Sequence, residues 1–243
     1  RNAYSCSELA FNMAIPNLPY AMKKYLIPYK SKIMKNTIKA YFFCTNQILH
    51  GFKSSPLIIA TSGYYGDVAE TFFLSHLVLY YGFNLLIYDG PGTVEENDNA
   101  IRSEWEKNSL KFVLDYVINQ WVVRLNDGII CYGIDTSGAS MMAHHAVSEA
   151  RPVAYLINPI VHGNSSIENA NVVKPAELQK LKVPILICKN EKETKKSILD
   201  KWNAAMKHSI EGKDCRWIYV TSCELLWERY VDQLLPLLKQ KVK

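Results

Sequence analysis

The sequence predicts an α/β protein with a mostly parallel sheet of about seven or eight strands and helices on both faces. Short, continuous apolar runs alternate with longer segments of helical periodicity, and glycine-containing turns follow several of the runs. The 243 residues are enough for one sizeable core. Apolar residues make up 49% of the chain and charged residues 21%, which is ordinary for a globular protein.

The elements follow one another in a regular order. Residues 1–28 are predicted to be helical or irregular, because Pro16, Pro19 and Pro28 interrupt any periodic pattern. We interpret 1–28 as a residual N-terminal segment and 29–243 as the core domain. Strands are predicted at 37–44, 57–60, 84–88, from 129, and at 153–158, 183–188 and 217–220. Helices are predicted at 67–81, 104–121, 139–149, 195–208 and 223–239.

Composition and charge argue against several classes of partner. The net charge is +5, but the basic residues are scattered and do not interleave with aromatic residues, so no nucleic-acid partner is expected. No apolar run reaches the roughly 18–20 residues that span a bilayer, and we expect no membrane partner. The six cysteines form no CxxC pair and no metal-ligand spacing. This pattern predicts a cytoplasmic protein without a metal. We also expect no other cofactor.

The most informative stretch is 129–139, which reads IICYGIDTSGA. It predicts a buried strand, a tight glycine turn and the start of a helix. A nucleophile elbow, Gly-x-Ser-x-Gly, has this arrangement and exposes its serine at the top of a sheet. In this chain Asp135 stands at the position of the serine, and Ser137 stands at the position of the closing glycine.

Two further segments resemble those of α/β-hydrolases. Residues 57–70, LIIATSGYYGDVAE, resemble the oxyanion strand and loop, and residues 81–92, YGFNLLIYDGPG, are similar to a GxxxLxxDGPG segment. The group they resemble includes 2,6-dihydroxypseudooxynicotine hydrolase, the polyketide-shortening hydrolases and the fermentation–respiration switch esterase-like proteins. The matches cover residues ~30–190 in the right order. Residues 163–182 leave little room for a helical insert, so the resemblance implies a reduced lid.

The resemblance places Asp135 at the nucleophile position. A carboxylate can serve there, because aspartate forms an ester intermediate in the haloalkane dehalogenase and epoxide hydrolase branches of the superfamily. The alternative is that Asp135 caps the following helix and that catalysis is lost. Segment 184–193 resembles the family's PxLxxxGxxD segment, which implies Glu193 as the acid that orients an imidazole.

The family's histidine has no counterpart at its expected place after the last strand, because no histidine occurs beyond His208. His162, which follows a strand on the catalytic side, is the best substitute base, and the alternative is a solvated loop histidine. The backbone N–H of Thr136, with that of Gly63 or Tyr64, is predicted to form the oxyanion hole. An ionised Asp135 between these donors would itself occupy the hole.

Two main functions remain open at this point, and a third, decarboxylase-like or lyase chemistry without a covalent intermediate, would need only a carboxylate general base. The first is an atypical hydrolase with a degenerate triad, acting on a small ester or carbonyl substrate, such as a polyketide-like one, by hydrolysis or C–C bond cleavage. The alternative is a non-catalytic relative that binds a small ligand or pairs with an active homologous subunit. A homo- or hetero-oligomer is compatible with both.

Overall fold

The computed structural model describes residues 9–30, 35–44, 55–63, 68–90, 99–120, 128–158, 181, 183–189, 200 and 215–219. The chain divides into two compact units, Arg1–Arg124 and Leu125–Lys243. The first unit holds α1 (9–14), a 3₁₀ turn (Ile15–Asn17), β1 (Ala21–Lys30), β2 (Lys35–Cys44), β3 (Leu57–Thr61), α2 (Val68–Thr71), α3 (Leu74–Tyr80), β4 (Asn84–Tyr88) and α4 (Asn99–Asn119). The second holds β5 (Ile129–Ile134), α5 (Asp135–Ser148), β6 (Ala154–Asn158), β7 (Ile185–Lys189) and β8 (Cys215–Tyr219).

The eight described strands pair mostly in parallel. In the first unit the order is β1-β2-β4-β3, with β1 and β2 antiparallel to their neighbours and β3 parallel to β4. In the second unit β5, β6, β7 and β8 follow one another and are all parallel. Strands β3 and β4 are buried along their whole length, as expected of a parallel sheet covered on both faces. The predicted fold class is confirmed.

Strand β1 corrects the prediction for the N-terminal segment. Residues 21–28 were expected to be helical or irregular, and instead they belong to a ten-residue strand paired with β2 along its full length. Pro28 was interpreted as a breaker, but β1 is the edge strand of its unit, where a missing N–H is tolerated. Buried Ile27 and Tyr29 alternate with exposed Leu26, Pro28 and Lys30. The sequence does not show this strand pattern, because Leu26 and Pro28 are apolar although they are exposed.

Aromatic contacts show that helices cover both faces of the first unit. Tyr29 packs edge-on against Phe112 of α4, with ring centroids 4.9 Å apart. Phe11 of α1 packs in the same manner against Tyr41 of β2, at 5.4 Å. Since Tyr41 pairs with Lys24, it shares the face of the even-numbered β1 residues, whereas Tyr29 lies on the odd-numbered face.

Most remaining boundaries agree with the sequence to within a few residues, and β4 agrees at both ends. The helix predicted at 67–81 is divided into α2 and α3 by a turn at 72–73. Gly82 ends α3 with a φ of 82°, and its N–H donates to the Leu79 carbonyl at 3.0 Å. The helices predicted at 195–208 and 223–239 and the reduced lid at 163–182 fall almost wholly outside the described residues.

Candidate active site

The turn between β5 and α5 is built on a close backbone approach. A Cβ atom added at Gly133 would lie 2.3 Å from the carbonyl oxygen of Gly138 and 2.9 Å from the nitrogen of Ala139. Only glycine therefore fits at position 133, because the first turn of α5 lies directly against the end of the strand. This strand-to-helix bend is the backbone feature of a nucleophile elbow.

Asp135 is the first residue of α5 and directly follows the last residue of β5. The helix was predicted to begin at Ala139, and it begins four residues earlier because Gly138 packs inside its first turn rather than in a loop. The N-cap position belongs to Ile134, which has extended backbone angles and no side-chain cap hydrogen bond. Asp135 thus lies in the first turn of the helix and not at the N-cap. In the first turn the helix dipole favours a negative charge. The side chains of Asp135 and Thr136 lie outside the described part of the chain.

The parallel register brings the ends of β6 and β7 to the edge of the sheet where Asp135 lies. Ile134 pairs with Asn158 at the end of β6, and Ile157 pairs with Ile187, two residues before the end of β7. Ligands of open parallel sheets bind beyond this carboxyl edge. His162 follows β6 and Glu193 follows β7 along the chain, and both lie outside the described residues.

The two histidines of α5 and the cysteine of β5 do not act at that edge, because the histidines are too far from it and the cysteine is buried. His144 is half-buried, His145 is buried, and both lie about nine or ten residues beyond Asp135, roughly 15 Å along the helix. Cys131 is fully buried in β5, and this burial raises the pKa of its thiol well above the ordinary value. A thiol that stays protonated is a poor nucleophile, so Cys131 does not compete for that role.

The end of β3 in the first unit is a tight polar turn. Thr61 and Ser62 are buried, and Gly63 has a φ of 91°, a conformation that favours glycine. The Gly63 N–H donates to the Thr61 hydroxyl oxygen at 3.2 Å. This predicted oxyanion donor therefore has an acceptor within its own turn. Tyr64, the other predicted donor of this loop, lies outside the described residues.

Asp89 lies just beyond β4 in the same unit and is buried. Its backbone N–H donates to the Lys39 carbonyl oxygen at 2.9 Å, which extends the pairing of β4 with β2 beyond the last strand residue. This burial and this backbone hydrogen bond agree with a structural role for Asp89 in the turn that follows β4.

A bidentate salt bridge at the far end of α5 was missed by sequence reasoning. Arg151 donates from Nε to one carboxylate oxygen of Glu149 at 2.8 Å and from Nη2 to the other at 2.6 Å. The Arg151 backbone N–H adds a third bond at 3.0 Å. These hydrogen bonds lower the pKa of Glu149 against the opposing effect of its partial burial. The two residues fix the turn from α5 to β6, and charged residues two apart gave no distinctive sequence signal.

Among the residues that the structure describes, no group of three or more His, Cys, Asp or Glu side chains is arranged to hold a metal ion. None of the described helices is long and apolar enough to cross a membrane.

Comparisons with solved structures identify the fold. The chain is similar to a 2,6-dihydroxy-pseudo-oxynicotine hydrolase, with a TM-score of 0.64 and 16% identity over 95% of this chain and 69% of the other. It is similar to an esterase of the fungus Rhizomucor miehei, with a TM-score of 0.66 and 10% identity over 95% and 88% of the two chains. It is also similar to a cold-adapted esterase from an Arctic intertidal metagenomic library, with a TM-score of 0.60 and 15% identity over 93% of this chain and 96% of the other.

The protein has the α/β-hydrolase fold. The three similar structures named above are hydrolases and esterases, and they include a 2,6-dihydroxypseudooxynicotine hydrolase, a member of the group that residues 57–92 resemble. At 10–16% identity these likenesses establish the fold alone. No protein-family model matches the chain, and no curated protein matches it.

Proposed function

We propose that this protein is an atypical hydrolase that acts on a small ester or carbonyl substrate, with Asp135 as its nucleophile or general base. The observation that carries the proposal is the elbow itself, in which Gly133 and Gly138 are in contact and residue 135 begins the helix. A close approach of strand and helix that only glycine allows is the arrangement by which a nucleophile elbow presents a reactive side chain at the end of its strand.

The chemistry at Asp135 follows from its position. The free N–H groups at the start of α5 favour a negative charge and keep a carboxylate ionised, which is the form needed to attack an electrophile or to accept a proton from water. In this proposal the Thr136 N–H belongs to the oxyanion site. Of the two candidates in the β3 loop, Tyr64 is the better second donor, since the Gly63 N–H already has an acceptor in Thr61.

The two remaining roles of the proposal rest on the family resemblance and on chain position. Glu193 follows β7 and would orient an imidazole, and His162 follows β6 and would serve as that imidazole. The missing histidine after β8 is the reason to propose a degenerate triad, because no residue from 209 to 243 is histidine. Polyketide-like ketones, which undergo C–C cleavage in the resembled group, are the second substrate class of the proposal.

The test is hydrolysis of p-nitrophenyl esters and cleavage of acylphloroglucinol-like ketones by the purified protein. Loss of a nucleophile or general base predicts a fall of at least about a hundredfold in kcat/KM for Asp135→Asn and Asp135→Ala. Ser137→Ala is the matched control, since it changes the same helical turn and leaves the carboxylate in place. Turnover in ¹⁸O-labelled water that puts label into the Asp135 peptide identifies the covalent role.

Two results would contradict the proposal. Activity that is unchanged in Asp135→Ala removes the residue from the chemistry, and activity abolished by Ser137→Ala moves the nucleophile to the serine. A protein that binds these substrates with no turnover at all would favour the alternative function, a non-catalytic relative.

A further inference from the structure

The expectation that the basic residues are scattered along the chain is wrong for one segment. Residues 9–66 contain no Asp, Glu or Arg. They contain seven lysines: Lys23, Lys24, Lys30, Lys32, Lys35, Lys39 and Lys53. Since the whole chain carries +5 and this segment +7, the remaining residues sum to −2. Positive charge is thus concentrated in the part of the chain that forms β1 and β2.

Strand register collects part of this charge on one face. The even-numbered residues of β1 share a face with their β2 partners, and Leu26 pairs with Lys39. We name the five residues of this surface the lysine face: Lys24, Leu26, Pro28, Lys30 and Lys39. Four of them are exposed, Lys39 is half-buried, and the Leu26 side chain at the centre is 56% exposed.

The opposite face of β1 is occupied by α4. Tyr25 and Tyr29, both odd-numbered, pack against Tyr116 and Phe112 of that helix. The lysine face thus belongs to the other side of the sheet. Helix α1 lies on that side, since its Phe11 contacts Tyr41.

Helix α1 adds exposed apolar surface to the same side. Leu9 and Met13 are one turn apart and 62% and 70% exposed. Both lie on the side of the helix away from buried Phe11, which is the residue that contacts the sheet. Large apolar side chains and lysines are therefore exposed together on one side of this unit.

The lysine face carries charge of one sign. Lys24, Lys30 and Lys39 are the ionisable residues among its five members, and all three are positive. The charge of the lysine face is complementary to an anionic surface.

We propose that the lysine face, flanked by Leu9 and Met13, docks the protein peripherally on an anionic lipid bilayer. Lysines near such a surface are attracted to acidic headgroups, and exposed aliphatic side chains enter the boundary between headgroups and acyl chains. The expectation of no membrane partner rested on the lack of a spanning segment, which a peripheral contact does not need.

The residue types favour a bilayer over a nucleic acid. Arginine, which binds phosphates in bidentate fashion, is absent from residues 9–66. The centre of the lysine face holds aliphatic Leu26 and Pro28. Tyr41, which pairs with Lys24 on the same face, is fully buried, so a base could not stack on it. An aliphatic centre ringed by lysines matches a lipid surface instead.

The experiment is co-sedimentation of the full chain with phosphatidylcholine vesicles and with vesicles that also contain phosphatidylserine. The protein is expected to bind only the second kind, with an affinity that falls as salt is added. Replacement of Lys24, Lys30 and Lys39 by Gln removes three charges and is expected to weaken binding by about fivefold per lysine, on the order of a hundredfold in all. Leu26→Gln tests the aliphatic contribution with the charge unchanged.

The matched control removes the same charge from the opposite side of the sheet. Lys23 lies on the odd-numbered face of β1, and Lys107 and Lys111 are exposed on α4, so the triple Gln variant of these residues should bind as the wild type does. Circular dichroism confirms that both variants fold. Equal loss in the two triple variants, no binding to the anionic vesicles, or tighter binding to a duplex oligonucleotide than to vesicles would overturn the proposal.

Discussion

The elbow makes its sharpest prediction through Gly133. In Gly133→Ala the new Cβ would lie 2.3 Å from the Gly138 carbonyl oxygen, against 3.4 Å for the start of ordinary van der Waals contact, so strand and helix must separate by about 1.1 Å. The atoms that obstruct the new Cβ belong to the backbone of Gly138 and Ala139, so the clash cannot be relieved by rotation of a side chain. Overpacking of this kind costs about 1–3 kcal/mol and more where the surroundings are rigid, so we expect a loss of about 3 kcal/mol or more.

Gly82→Ala is the matched control, because it changes glycine to alanine where no atom lies within 4 Å of the new Cβ. Its cost comes only from the positive φ of 82° and is expected to be about 1–2 kcal/mol. The free energies of unfolding are compared by urea denaturation with the slopes checked for equality. A Gly133→Ala protein that is as stable as Gly82→Ala, or more stable, would refute the close approach on which the elbow rests.

Three smaller perturbations test other described contacts. Glu149→Gln is expected to lower the free energy of unfolding by about 1 kcal/mol near neutral pH. Arg151 lowers the pKa of Glu149 in the folded state below its ordinary value of 4.5. The difference in stability from wild type should therefore be complete above pH 4.5 and vanish as the pH falls through the folded-state pKa. A difference that grows on acidification would contradict this. Thr61→Val leaves the Gly63 N–H without its acceptor in a buried turn and should cost about 1–3 kcal/mol by denaturation. Tyr20→Phe removes the hydroxyl that hydrogen-bonds to the side chains of Ser75 and His76 in α3, and it should lower the free energy of unfolding in urea by about 1 kcal/mol. An unchanged free energy would contradict the contribution of these bonds.

Buried elements were the easiest to predict because their pattern is local. Strand β4 consists of Asn84 and an unbroken apolar run that ends at Tyr88, between Gly82 and Asp89, and it agrees with the prediction at both ends. Strand β1 has the opposite character. Its alternation is weak, Pro28 lies inside it, and only its place at the edge of the unit makes that proline acceptable.

The candidate site was predictable in kind and only partly in detail. The glycine spacing before and after Asp135 indicated a sharp bend, and the structure has one. The start of α5 was misplaced by four residues, since Ser137 and Gly138 are usual loop residues and only contact with Gly133 explains a glycine in the first helical turn. The roles of Asp135, Thr136, Tyr64, Glu193 and His162 stay predictions. Gly63 is the weaker of the two oxyanion candidates in its loop, since its N–H donates to Thr61.

The sequence by itself determined the alternation of strands and helices, the glycines of the elbow and the carboxylate at position 135, because each depends on neighbours within a few residues. The tertiary structure alone decided that β1 is a strand and that Lys24 and Lys30 share a face with Lys39. Those features depend on pairing between segments, and the register that sets such pairing is fixed by packing of the whole sheet rather than by any local pattern.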